Sequence, residues 1–334
     1  MSRIVAVDGA FGAMRTGTTA TAEYDVPVDA WYFEGCGTAT MPFAILMEVV
    51  LQPCGWLAMY LGSVLDADAP LLFRNLDGTG TVYHEVGPDT TTLRTHVESR
   101  DISRYGSMII ESFAVTCTAV GGPSDGQIVF SLDTVFGFFP PAAFADQPGL
   151  PPTEADRARL RQPANLAVDL SGRPTRYFDG TARLPGPMLA MLDRVTGYLA
   201  DGGSHGLGWL RAEKDVDAAD WYFKAHFFQD PVQPGSLGVQ AMCNLLAWYL
   251  IERDAGTGLP HPRLESIRTG QPLVWKYRGQ VLPTDGRITV ELDITEHGAD
   301  QRGRYAIADG WLWVDGRRIY HATGLGMRVV PEQS

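Results

Sequence analysis

Two stretches, residues 42–65 and 234–251, are apolar at nearly every position. A helix that is apolar all round is a buried one. Each stretch opens on a proline, Pro42 or Pro234, which suits a first helical position because the N–H there has no partner. Each also carries a polar pair four residues apart, Glu48 with Gln52 and Gln240 with Asn244, and that spacing puts both members on one helix face. The pattern predicts two long central helices, each turning one polar strip toward a cavity or an interface. Downstream of each helix the period changes to the alternation of half-buried strands. In the second half this covers residues 287–294, 304–308, 310–314 and 317–322, with Val314-Asp315-Gly316-Arg317 as a tight hairpin turn. Residues 91–99, 107–119 and 127–134 have the same character in the first half.

The two halves are copies. Trp31-Tyr32-Phe33-Glu34 recurs as Trp221-Tyr222-Phe223-Lys224, 190 residues on (31 to 221), and the proline-led helix follows in both. That offset fits tandem domains rather than a solenoid. The expected organisation is a first unit over residues 1–139, a connector over 140–175 with a short helix at 154–160, and a second unit over 176–334. One apolar helix and several antiparallel strands per unit call for a curved sheet wrapped around the helix. The fold class expected is therefore α+β, a double hot-dog whose two sheets join side by side.

Composition narrows the function. The 334 residues carry a formal net charge of −12, which argues against general nucleic-acid binding, since that needs basic surface. No long apolar run follows Met1-Ser2-Arg3 as a signal peptide requires. Polar residues inside both apolar stretches argue against membrane spans. The 4 cysteines, Cys36, Cys54, Cys117 and Cys243, show no CxxC spacing and read as buried thiols in a reducing compartment, by default the cytoplasm. No Gly-rich nucleotide loop follows a strand, and the histidines at 84, 96, 205, 261, 297 and 321 lack metal-ligand spacing.

His226-Phe227-Phe228-Gln229-Asp230-Pro231-Val232-Gln233-Pro234-Gly235-Ser236-Leu237-Gly238, together with Arg183-Leu184-Pro185, Met191-Leu192-Asp193-Arg194-Val195, Gly279-Gln280-Val281-Leu282-Pro283 and Val314–Tyr320, resembles the 3-hydroxydecanoyl-ACP dehydratase/isomerase family from about Arg183 to Val329. The first unit resembles it more distantly. Its Gln52-Pro53-Cys54-Gly55-Trp56 and Phe136-Gly137-Phe138-Phe139 are similar to the dehydratase pairs of polyunsaturated fatty acid synthases and related polyketide-type megasynthases. The resemblance implies water loss from a 3-hydroxyacyl thioester carried on the phosphopantetheine of an acyl carrier protein, with no metal or other cofactor. It also implies an excised part of a larger synthase, with other synthase domains or a second copy as further partners. Some relatives also shift the new double bond.

Dehydration needs a base at C2, an acid for the C3 hydroxyl and donors for the enolate oxygen. By resemblance His226 is the base, the Gly235 N–H polarises the thioester carbonyl, and the Val232 carbonyl orients the imidazole. The family's carboxylate position, six residues after Pro234, holds Gln240, which cannot cycle a proton. The matching place in the first unit holds Glu48, while the histidine place there holds Cys36. The losses are complementary. One site would pair His226 with Glu48, and a pseudo-site would pair Cys36 with Gln240. Gln52 and Asn244 are candidate pocket polar groups. Two rival readings remain: a hot-dog acyl thioesterase, and a non-catalytic acyl-binding or scaffold module of a synthase.

Overall fold

A computed structural model describes residues 1–65, 70–145 and 147–332; Asp146 of the expected connector and the last two residues lie outside them. The first half runs β1 (Arg3–Asp8), β2 (Thr19–Asp25), α1 (Trp31–Gly35), α2 (Phe43–Leu61), β3 (Leu72–Val82), β4 (Thr92–Tyr105), β5 (Met108–Val120) and β6 (Ile128–Phe139). Then come α3 (Glu154–Leu160), β7 (Val168–Asp169) and α4 (Thr175–Phe178). The second half repeats the plan as β8 (Arg194–Leu199), β9 (Trp209–Asp215), α5 (Tyr222–Ala225), α6 (Gly235–Glu252), β10 (Pro262–Leu264), β11 (Pro272–Tyr277), β12 (Arg287–Ala299), β13 (Arg304–Val314) and β14 (Arg317–Pro331).

The strands form one antiparallel sheet in the order β1-β2-β4-β5-β6-β3-β11-β14-β13-β12-β9-β8-β7, with β10 beside β14. Read outward from the β3–β11 pair, the order is the same on both sides as far as β1 and β8. This is the double hot-dog, with α2 and α6 lying against the sheet and against each other. The repeat survives in detail. Arg3 holds Glu23 and Asp25 at 2.6–2.9 Å, and Arg194 holds Glu213 and Asp215 at 2.8–2.9 Å. The aromatic triplets match as well: Trp31–Tyr32 and Trp221–Tyr222 meet edge-on at 5.7 and 5.8 Å.

Both central helices start one residue after their proline, which is the N-cap in each. By length and composition α2 could cross a membrane, yet most of it is buried against the sheet. α2 stops at Gly62, whose φ of 103° is left-handed and whose N–H bonds back to Ala58 and Met59. α3 has the range the sequence predicts and carries a reciprocal Thr153–Asp156 capping box. The expected strands 304–308 and 310–314 are one strand, β13, with a bulge between Ala308 and Gly310 rather than a break.

The seam depends on glycine. Gly78 of β3 faces Trp275 of β11, and a Cβ there would land inside the fully buried indole. The indole N–H donates to Asn75 Oδ1 at 2.9 Å, and Arg278 reaches both Asp77 oxygens at 2.9 and 3.0 Å. Gly78→Ala should therefore loosen the junction and cost about 1–3 kcal/mol by overpacking. Denaturant unfolding measures this, and an unchanged midpoint would show that the seam tolerates a side chain.

Candidate active site at the junction of the two halves

Glu48, on the polar strip of α2, and His226, at the end of α5, line one cavity of about 690 Å³. The N-terminus of α6 connects them. Ser236, in the first turn of α6, donates its hydroxyl to Glu48 Oε1 at 2.6 Å. Four residues before Ser236, the Val232 carbonyl lies 2.9 Å from His226 Nδ1. A carbonyl only accepts, so Nδ1 carries the proton and Nε2 presents its lone pair. Gly235 opens α6 in the same wall, and its N–H stands in the first turn, where a helix supplies no carbonyl for it. Glycine is required there because the Tyr277 ring packs on its Cα; a Cβ would sit 2.5 Å from Tyr277 Cε2.

Burial raises the pKa of the Glu48 carboxyl, and the Ser236 hydroxyl offsets this in part. Burial lowers the pKa of His226; the Val232 bond and Asp230 oppose the shift, and Arg74 adds to it. Both shifts favour the uncharged form of each group, the carboxyl protonated and the imidazole unprotonated. That is the order an acid and a base need in one site.

The His226 loop is held from the other half of the molecule. Arg74 of β3 donates to both Asp230 oxygens at 2.5 and 2.9 Å and to Gln280 Oε1 at 2.8 and 3.0 Å. Its guanidinium also lies over the Phe144 and Phe227 rings. Neither Arg74 nor Ser236 stands out in the sequence. Arg74 is 156 residues from its partner Asp230 and on another unit, and Ser236 gains its role only where α2 meets α6.

The pseudo-site residues also come together. Cys36, Gln240 and Asn244 line a cavity of only about 20 Å³. The chain leading into β8 closes it. Arg183, Pro185 and Leu189 form its other wall, the Leu189 carbonyl accepts from Asn244 Nδ2 at 2.7 Å, and Gln240 donates to Asn244 Oδ1 at 2.8 Å. Further along α6, Tyr177 packs against Trp248 and its hydroxyl bonds Glu252 at 2.8 Å. Burial pushes the Cys36 thiol up to about 12, so it is no nucleophile near neutral pH. Gln52 lines the large cavity. His96 and His321 lie on strands, His96 against Thr21 and His321 stacked on Trp311.

Arg74 and Asp230 act on His226 with opposite sign. Arg74→Ala leaves the Asp230 charge unpaired and should raise the His226 pKa, whereas Asp230→Asn leaves the Arg74 charge and should lower it. NMR titration of the imidazole reads both shifts; movement in the same direction would contradict this electrostatic arrangement.

A family model described as a FabA-like domain matches residues 184–323. One of the polyunsaturated fatty acid synthase subunits of Thraustochytrium sp. is 32% identical over 328 residues, which cover 93% of this chain and 21% of that protein. The chain thus spans about a fifth of that relative's length. Among solved structures, the dehydratase domain from the CurJ module of curacin polyketide synthase aligns with TM-score 0.50 at 12% identity, covering 98% of this chain and 97% of that one. A MaoC-like dehydratase aligns with TM-score 0.50 at 13% identity, covering 96% and 99%. A putative oleoyl thioesterase from Lactobacillus plantarum aligns with TM-score 0.53 at 10% identity, covering 96% and 100%. These three likenesses establish the shared fold alone. Residues 184–323 thus match a FabA-like domain, and nearly the whole chain is similar to about a fifth of a polyunsaturated fatty acid synthase subunit.

Proposed function

We propose that the chain removes water from 3-hydroxyacyl thioesters presented on the phosphopantetheine arm of an acyl carrier protein, giving 2-enoyl thioesters within fatty acid or polyketide-type synthesis. The observation that carries this reading is the convergence of an imidazole, a carboxyl and a helix N-terminus on one cavity, with the first two drawn from different halves. His226 Nε2 takes the C2 proton, and the electron pair moves onto the thioester oxygen. The Gly235 N–H and the positive end of the α6 dipole hold that charge. The enolate then expels the C3 hydroxyl, which leaves as water with the Glu48 proton. One proton passed from imidazolium to carboxylate restores the starting forms. Each step moves a proton between side chains and substrate, so the reading assigns no metal or redox cofactor.

The cavity continues along α2 past Leu51, Gly55 and Trp56 to Met59, beneath Phe73 and Phe136. From Glu48 to Met59 the helix rises about 16 Å. This apolar groove suits the acyl tail. Gly55 keeps it open: a Cβ there would already sit 3.1 Å from the Phe73 ring. All four cysteines are buried free thiols.

Turnover of 3-hydroxyacyl pantetheine thioesters tests the assignment. Glu48→Gln and His226→Ala should each cost about 100-fold or more in kcat, while Cys36→Ala and Gln240→Ala should leave it unchanged. Release of free pantetheine without enoyl product would favour a thioesterase instead. The rate should fall on the acid side as His226 protonates and on the alkaline side as Glu48 ionises. A rate flat across both limbs would remove both from the chemistry. Gly55→Leu should depress kcat/KM for long acyl chains about tenfold or more while sparing short ones, since a side chain in an apolar groove discriminates by about 1–3 kcal/mol. Equal loss for both lengths would take the tail out of the α2 groove.

A further inference from the structure

Gln233 is 2% exposed and lines the cavity beside Val232 and Gly235. Its backbone is fixed, the N–H donating to the Val281 carbonyl at 3.0 Å. Its side chain is not: among the described residues neither the carboxamide nitrogen nor the oxygen has a protein partner. A buried amide with both ends unmet lowers stability, so the fold alone gives no reason for it.

The other half provides an internal control. Met41 precedes Pro42 as Gln233 precedes Pro234. It makes the same backbone bond, to the Val86 carbonyl at 2.8 Å, and is 1% exposed. The half whose histidine place holds Cys36 therefore fills this position with an apolar side chain of similar length. Only the half that carries His226 places an unpaired carboxamide there. Local destabilisation confined to the half that supplies the imidazole marks a functional group rather than a packing one.

We propose that Gln233 is a substrate-binding residue, whose carboxamide engages a group on the 3-hydroxyacyl pantetheine thioester that both donates and accepts hydrogen bonds. A thioester carbonyl only accepts and cannot satisfy both ends of the side chain. The 3-hydroxyl does both at one oxygen, and the first amide of the pantetheine arm, whose N–H and C=O point to opposite sides, meets one end of the carboxamide at a time. A rotamer change about the Gln233 side chain carries the carboxamide from the wall into the cavity. The inference rests on the dehydratase reading for the identity of the ligand, but its test is a binding measurement and does not depend on turnover.

The test replaces each residue by its counterpart. Gln233→Met should raise the thermal unfolding midpoint, because two unmet polar atoms leave the interior. It should also weaken binding about tenfold, the equivalent of one lost hydrogen bond. Met41→Gln should lower the midpoint and leave binding unchanged. Binding is read by calorimetry with a saturated acyl pantetheine thioester and with its 3-hydroxy form, the latter in a His226→Ala background that holds it unreacted. Weakening for both ligands assigns the contact to the pantetheine amide; weakening for the hydroxylated ligand alone assigns it to the 3-hydroxyl. Undiminished affinity for both, or a Gln233→Met chain less stable than the native one, overturns the proposal. If water loss proves absent while Gln233→Met still weakens binding, the dehydratase reading fails and this inference stands.

Discussion

The pairing of β3 with β11, from Thr81 against Pro272 to Asp77 against Lys276, is the interaction on which the rest of the molecule depends. It makes one sheet out of two and sets α2 and α6 against each other. Glu48 then meets the first turn of α6, and Arg74 meets the loop that carries His226. Neither half holds an imidazole and a carboxyl of its own in these places. The site is a property of the seam, and a seam packed by Trp275 against glycine has little slack for either half to slide.

That geometry also explains why one of two equivalent sites is open. The same face of the two central helices is treated differently. On α6 it is covered by the chain between Tyr177 and Leu189, which bonds Asn244 and Glu252 and leaves a cavity of about 20 Å³. On α2 it bounds the cavity of about 690 Å³. Burial then tunes what remains. A carboxyl and an imidazole removed from water both shift toward their neutral forms, and a neutral pair is the one that can give a proton at oxygen while taking one from carbon.

Much of this was legible in the sequence, for physical reasons. The central helices and strands such as β12 show their period because one side of each is buried. The placing of Glu48 and His226 on one cavity was legible because the repeat aligns Cys36 with His226 and Gln240 with Glu48. The seam strands were not. β3 reads Leu-Phe-Arg-Asn-Leu-Asp-Gly-Thr-Gly-Thr-Val, with glycines where alternation needs apolar side chains, because Trp275 and Phe130 fill those places from neighbouring strands. β1, β2, β8 and β9 likewise fell outside the predicted strands: β1 is exposed and β9 buried at nearly every position, and β2 and β8 alternate only in part. Contacts that cross between units, such as Arg74 with Asp230, leave no local trace at all.

The division of labour between the halves is the central claim, and proton exchange at C2 tests it most directly. A 3-hydroxyacyl pantetheine thioester is incubated in D₂O with Glu48→Gln and, separately, with His226→Ala, and both C2 deuterium and enoyl product are followed. The account predicts that Glu48→Gln exchanges the C2 proton without losing water, since base and enolate donor are intact, and that His226→Ala does neither. Exchange that persists without His226, or water loss at the native rate without the Glu48 carboxyl, would contradict it.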